Sequence, residues 1–450
     1  MARVLYSLLL RLALPAQVLR HLWRGWRSPQ LRGSLRAHLA LGLQARTDRP
    51  LWLHAASVGE VQGLSPLVRE LRRALPALPL LITVGTATGL ARARQHFAAS
   101  SDHAVTAAPL TLMAAPWDLP GAARRFIASQ RPCAAVFIET ELWPNLLREA
   151  ALADVALLLA SARVSAASTR RYRRWASGLM RDTVRRFSRI GAQSMADRER
   201  FMLLGAEPGA VECWGNLKFD FVPPPGVAEQ GRAMRARLAP DRSMWVAGST
   251  HAGEEMACLQ AQSLLRETAA AHGMAAPLLV IAPRRPERFE EVARLVVDSG
   301  ASLQRHSTLA PGREGDVLLV DELGALLPYY AAADVAFVGG SLVPVGGHNL
   351  LEPAALGRPV LAGPHTGNAP DVARLLEGAG GLARVRDAGE LAATLLELLG
   401  NPAQARRAGE AAAAVVAANG GATTRALEAI TAVLRARQAP DDPMARSASG

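Results

Sequence analysis

The chain has 450 residues, of which 50% are apolar, 20% charged and 5% aromatic, with a formal net charge of +12. That length exceeds one ordinary hydrophobic core, so two domains are expected, and the composition excludes a chain that is disordered throughout. Cys133, Cys213 and Cys258 lack metal-type spacing and are odd in number, which points to unpaired thiols in a reducing compartment rather than a disulfide framework.

Residues 1–30 mix apolar runs with Arg11, Pro15, Gln17 and Arg20, and the longest uncharged run falls well short of the ~20 residues that cross a bilayer. A small-residue cleavage site is missing. Leucines with Trp23, Trp26 and arginine predict an N-terminal membrane-associating helix lying at the headgroup level. A short tilted anchor, or a helix packed on the protein's own core, would read alike. Arginine dominates residues 1–50 against one acid, Asp48, and again from Arg163 to Arg189 against Asp182. Charge alone admits nucleic acid, phospholipid or a phosphorylated substrate as the anionic partner.

From residue 51 apolar runs alternate with amphipathic stretches: LWLHAAS, LLITV, AAVFI, VALLLAS, RIGAQS and VECWGNLKFD, each but the last followed by a helical pattern. This predicts an α/β domain with a doubly wound parallel sheet over residues 31–221. Residues 222–230 open with VPPPG and read as a linker. The pattern resumes over 231–436 with MWVAGS, PLLVIAP, DVLLVDE, DVAFVGG and RPVLAG, giving a second such domain, and 437–450 reads as a disordered tail. Two doubly wound domains present the C-terminal ends of their strands to a cleft, where ligands bind.

The chemistry-bearing residues fall at those strand ends. Gly59 permits a tight turn before Glu60, which opens a helix and could take the proton of an attacking hydroxyl; an ordinary first-turn glutamate would look the same. Glu139 and Glu141 follow AAVFI, and a continuing strand would place both on one face. In the second half, Ser249 stands in Gly248-Ser249-Thr250-His251 after a strand. Pro283 and Arg284 follow another, and Leu323, Gly324 and Ala325 begin a helix able to receive an anion. His348, Asn349, Leu350, Leu351 and Glu352 close the Gly-rich loop that starts at Gly339; its backbone can approach a phosphate, and Glu352 can hold a ribose diol. Lys218 is the only lysine beside fifty arginines, which suggests a site that needs a compact ammonium. Asp-x-Asp, P-loop and G-x-S-x-G patterns are missing from the sequence, so no metal is expected and the leaving phosphate would be held by Arg, Lys and helix ends.

The segments HAASVGE (54–60), IETELWPN (138–145), GNLKFD (215–220), STHAGEE (249–255), APRRPERF (282–289) and FVGGSLVPVGGHNLLEPAA (337–355) resemble the 3-deoxy-D-manno-octulosonic acid (Kdo) transferases of lipopolysaccharide assembly. The resemblance runs in order from the N-terminal segment to about residue 430. It implies a GT-B fold, CMP-Kdo as donor and co-substrate with no cofactor, a lipid A precursor (lipid IVA) as acceptor, and inversion at the sugar carbon. It further implies residence at the cytoplasmic face of the cell inner membrane, with membrane phospholipid and no nucleic acid as partner. By motif position Glu60 is the general base, and Glu139 (or Glu141) and Lys218 stabilise the transition state. Pro283, Arg284, Leu323 to Ala325 and Asn349 to Glu352 bind CMP. The chain departs from the family's usual pattern at Ser161-Ala162-Arg163-Val164-Ser165, where Asn-Ala-Arg-Leu-Ser is common, and at Pro344-Val345, where a charged pair is common. The rival readings are a GT-B enzyme using a UDP-sugar and a non-catalytic binder of anionic lipid.

Overall fold

The computed structural model describes residues 2–27, 34–98, 108–309 and 315–438, and these form two compact units. The first takes the described residues up to Asp220 and from Asn419 onward; the second is Phe221–Ala418.

The first unit is built on seven parallel strands: β1 (Leu51–Ala55), β2 (Leu80–Val84), β3 (Leu110–Ala114), β4 (Ala134–Ile138), β5 (Ala156–Ala162), β6 (Arg189–Ala192) and β7 (Val211–Cys213). Their order is β3-β2-β1-β4-β5-β6-β7. Strands β1, β2 and β4 are buried at every residue, as a sheet covered on both faces requires. Leu51, Leu53 and Ala55 pack into one core and Trp52 into the other. The winding reverses between β1 and β4, so their C-terminal ends open the crevice where such folds bind ligands.

The second unit repeats the plan with β8 (Met244–Thr250), β9 (Leu278–Pro283), β10 (Leu303–Arg305), β11 (Val317–Leu319), β12 (Val335–Val338), β13 (Val360–Ala362) and β14 (Leu382–Arg384). All pairings are parallel and the order is β10-β11-β9-β8-β12-β13-β14, with the reversal at β8 and β12.

Two expected boundaries need correction. The helix Ala422–Gln438, expected within 231–436, belongs to the first unit: Ala422, Ala426, Ile430 and Leu434 form an every-fourth-residue stripe buried in the core beneath the helix Val58–Ala74. A stripe shows that a helix packs, but not against which core. The expected linker 222–230 is cut short, because Gly226 (φ 82°) starts the helix Val227–Leu238 of the second unit. Residues 437 and 438 are helical; the rest of the expected tail, and the expected boundary at residue 30, lie outside the described residues.

The N-terminal helix Ala2–Arg27 lies along the first unit. Tyr6, Leu10 and Leu14 pack on its core, Tyr6 Oη donates to Asp118 (2.9 Å), and Arg3 and Ser7 donate to Asn145 Oδ1 (3.2 and 2.9 Å). Further along, the His21 ring meets His38 and Trp117 edge-on. The opposite face exposes Leu5, Leu8, Leu9, Leu12, Leu19 and Leu22. By length and composition Ala2–Trp23 could cross a membrane (mean hydropathy 1.3), but contacts from Arg3 to His21 hold it alongside the unit.

Candidate active site

At the reversal point of the first unit, β1 runs into Ser57, the N-cap of the helix Val58–Ala74, with Glu60 in the first turn. Ser57 Oγ accepts from Glu60 N (3.3 Å), while the Glu60 carboxylate accepts from Ala56 N (2.7 Å) and Ser57 Oγ (2.9 Å). This is a capping arrangement, so the ordinary reading of a first-turn glutamate is structurally true. It is not the whole account. Glu60 is only 8% exposed, and burial pushes its pKa up to about 7; the nearby Glu139 and Glu141 push the same way, against the hydrogen bonds from Ala56 and Ser57. A carboxylate that trades its proton near neutral pH suits a general base.

Lys218 lies in the short turn Leu217–Asp220 and donates from Nζ to Glu139 Oε1 at 2.5 Å. Its stem runs over the glycines of the Glu60 helix: a Cβ at Gly63 would sit 3.1 Å from Lys218 Cγ, and one at Gly59 would sit 4.0 Å from Nζ. Two contacts fix the turn. Ser161 Oγ accepts from Leu217 N (2.9 Å), and Asp220 accepts from Gly421 N (2.5 Å) and Thr423 N at the start of the helix Ala422–Gln438. Ser161 has φ 50°, a left-handed conformation that residues other than glycine, asparagine and aspartate seldom take.

The strand does not continue past Ile138, so the expectation that Glu139 and Glu141 share a face is corrected. Glu139 sits at φ 62° and turns the chain, sending its carboxylate to Lys218 and that of Glu141 to His54 and Trp143. The sequence reading passed over His54 and Thr83. A signal was available: each is the fourth residue of a five-residue apolar strand, and they are register partners in β1 and β2. Asp220 and Gly63 were also missed, and nothing local in the sequence marks them.

In the second unit Glu254 is fully buried, and its carboxylate accepts from His251 N, Gly340 N, Ser341 N and Leu342 N at 2.6–2.9 Å. It thereby ties the end of β8 to the loop after β12. Asn368 braces that loop from the other side through Gly347 O (2.9 Å), so the Gly-rich segment is a fixed scaffold rather than a slack connector. His348 Nε2 lies 2.8 Å from His251 Nε2 with the rings stacked. Burial, followed by the positive charge of Arg284, lowers His348 to a pKa of about 3, so it is neutral at physiological pH. Arg284 N donates to Thr250 O (3.0 Å), past a bulge at Ser249 (φ 58°), and Pro283 ends β9 beside it.

Other expected nucleotide contacts are narrowed by the geometry. Leu350 and Leu351 bury their side chains and can offer a ligand only main-chain groups. Asn349 Oδ1 accepts from Leu351 N (3.1 Å), and its Nδ2 donates to Glu352 Oε1 (3.1 Å), so Asn349 and Glu352 form one polar unit. Gly324 has φ 92°, and the helix after it begins only at Leu326 and lasts seven residues, which limits what its dipole can give an anion at Leu323 to Ala325.

Paired seven-stranded parallel sheets, each with its polar groups gathered at the reversal point, define the GT-B class. Among solved structures, a UDP-GlcNAc 2-epimerase from Neisseria meningitidis bound to UDP-GlcNAc aligns over 86% of this chain and 99% of its own, with a TM-score of 0.52 and 13% identity, a likeness of fold alone. Residues 33–221 match the family described as 3-deoxy-D-manno-octulosonic-acid transferase (kdotransferase). The 3-deoxy-D-manno-octulosonic acid transferase of Bordetella pertussis is 38% identical over 85% of this chain and 86% of its own; that of Haemophilus influenzae is 36% identical over 76% of each. The chain belongs to the Kdo transferase family of glycosyltransferases.

Proposed function

We propose that the protein transfers Kdo from CMP-Kdo to a hydroxyl of a lipid A precursor, with inversion and without a metal or cofactor, at the cytoplasmic face of the cell inner membrane. The observation that carries this reading is the cluster of Glu60 with the Lys218–Glu139 pair, in a unit whose N-terminal helix exposes a row of leucines. Glu60 takes the acceptor's proton as its oxygen bonds to the anomeric carbon. The bond from that carbon to the phosphate oxygen breaks, and CMP leaves with the electron pair. Lys218, oriented by Glu139, stabilises the charge that develops. Pro283, Arg284, Leu323 to Ala325 and Asn349 to Glu352 hold CMP, with Ser249 and His348 beside them. Metal independence draws its support from the lack of Asp-x-Asp in the sequence.

A helix held alongside its domain with one apolar face outward fits an interfacial anchor better than a spanning one. The arginines from Arg163 to Arg189, with the exposed Trp175, would add attraction to anionic lipid and to acceptor phosphates.

The test is full-length protein with vesicle-embedded acceptor and preformed CMP-Kdo, read by product mass, with and without EDTA. Product heavier by Kdo units in both conditions is expected. Absence of Kdo product would overturn the reading, and loss under EDTA restored by magnesium would overturn its metal-free part. Thermal stabilisation by CMP but not by UDP or UMP separates this donor from a UDP-sugar.

A further inference from the structure

The turn after β4 carries a set of side chains that the reaction above does not use. Trp143 Nε1 donates to Glu141 Oε2 at 2.5 Å, and His54 Nε2 meets the same oxygen at 3.1 Å. His54, 2% exposed, meets Thr83 Oγ1 through Nδ1 at 2.8 Å, and Trp52 Nε1 donates to that hydroxyl at 2.8 Å. An indole only donates and a carboxylate only accepts, so His54 carries its proton on Nε2. Thr83, occupied as an acceptor by Trp52, can then give its own hydrogen to Nδ1. In the tautomer with the hydrogen on Nε2 alone, every bond in the row points toward Glu141 Oε2.

Buried polar networks stabilise only when every member is satisfied, and this one draws on β1, β2 and the turn after β4 to fix one carboxylate and one indole. The indole is 38% exposed, held by its N–H in one orientation. Both donors fall on Oε2, and among the described residues no donor meets Oε1. An immobilised aromatic face beside a carboxylate oxygen with acceptor capacity to spare, on a side chain 12% exposed, matches a pyranose: its C–H face packs on the ring and a hydroxyl donates to the carboxylate.

The place of this pair in the unit says which sugar. Trp143 stands two residues from Asn145, which accepts from Arg3 and Ser7 of the N-terminal helix. Asn145 N and Leu146 N donate to Asp118, which also accepts from Tyr6. The indole is thus mounted on the turn that grips the helix with the outward leucines, and a lipid-borne sugar would arrive there. We propose that Trp143 and Glu141 form the subsite for a sugar ring of the acceptor, with His54 and Thr83 as positioning residues. This rests on the transferase reading above.

The experiment measures the apparent KM for acceptor and for CMP-Kdo separately, in Trp143→Leu, Trp143→Phe and Glu141→Gln, each checked for an unchanged melting temperature. Trp143→Leu should raise the acceptor KM about five- to twentyfold while the CMP-Kdo KM stays within twofold; Trp143→Phe should recover most of the loss. Glu141→Gln, which replaces an acceptor with a donor, should also raise the acceptor KM. An unchanged acceptor KM in Trp143→Leu, or an increase confined to CMP-Kdo, overturns the subsite while leaving the transferase standing. Should the wild type transfer no Kdo, saturation-transfer NMR with the deacylated, phosphorylated disaccharide headgroup still decides. Signal lost in Trp143→Leu supports the subsite, and equal signal or none in either protein overturns it.

Discussion

Replacing Glu60 by glutamine should move activity and stability in opposite directions. Glutamine copies the protonated carboxyl: it can still accept from Ala56 N and approach Ser57 Oγ, so the helix start is kept. It cannot take a proton, and losing a general base costs ~100- to 10,000-fold in kcat. The stability effect follows from proton linkage. The pKa of Glu60 is about 7 in the folded protein against 4.5 when unperturbed, so the fold prefers the protonated form. The associated stability is complete below about 4.5 and is lost as pH rises through about 7. A displacement of this size is worth roughly 3 kcal/mol for a well-buried group, taken as an upper bound. Glutamine never pays that penalty. Wild type and Glu60→Gln should therefore melt together near pH 4.5, diverge through neutrality, and at pH 8 differ by a few degrees with the mutant the more stable. Wild-type kcat should rise with pH through about 7 with a slope of one proton, while the mutant stays flat and near background. Melting curves from pH 4.5 to 8.5, beside initial rates with preformed CMP-Kdo, read both effects. Activity within threefold of wild type, or melting curves that never separate, would refute the reasoning.

Lys218→Arg should lower kcat by roughly 100-fold with CMP affinity intact, because a guanidinium is longer and broader than the space between Gly63 and Glu139 Oε1; initial rates and CMP titration check this. Asp220→Asn should cost about 1 kcal/mol by weakening the cap on Ala422–Gln438, and should lower kcat through the Lys218 turn without changing the CMP-Kdo KM, as urea melts and kinetics would show. Aspartate at Leu5, Leu8 and Leu12 together should cut vesicle co-sedimentation while leaving the melting temperature alone, whereas Leu10→Asp, on the packed face, should lower the melting temperature. His348 is depressed to about 3, so its contribution to stability is present above its ordinary pKa of 6.5 and is lost as pH falls toward 3; His348→Gln should flatten the acid limb of a melting series.

The strands readable from sequence were mostly those buried on both faces, because a continuous apolar run needs no partner to be recognised; the edge strand Val211–Cys213, with only Val211 buried, was the exception. The three that escaped, Leu110–Ala114, Leu303–Arg305 and Leu382–Arg384, are all sheet edges; the latter two are three residues long. An edge strand lacks one neighbour and carries residues such as Thr111 and Gln304, so its pattern fades into loop. The position of Glu60 was legible, but its proton affinity was not, since that depends on burial and on carboxylates 79 and 81 residues away in the chain. Lys218 stood out as a lysine in a chain of arginines, whereas its pairing with Glu139 across 79 residues was not legible, and its support by Ala422–Gln438 requires knowing that the chain returns to its first unit after some 200 residues.

That return gives the motif IETELWPN its structural sense. Glu139 turns the chain at positive φ and holds Lys218, whose turn is capped onto the returning helix. Thr140 donates to Arg163 O (2.7 Å), tying the same turn to the end of β5. Glu141 takes the row of donors that begins at Trp52, and Asn145 grips the N-terminal helix through Arg3 and Ser7. Within eight residues the chain therefore joins the proposed charge-stabilising lysine, the proposed sugar subsite and the proposed membrane-facing helix. No element intervenes that could flex between them. Chemistry on a lipid-borne hydroxyl needs the reacting groups at a set height above the bilayer surface, and a single rigid turn bonded to the interfacial helix supplies that height directly.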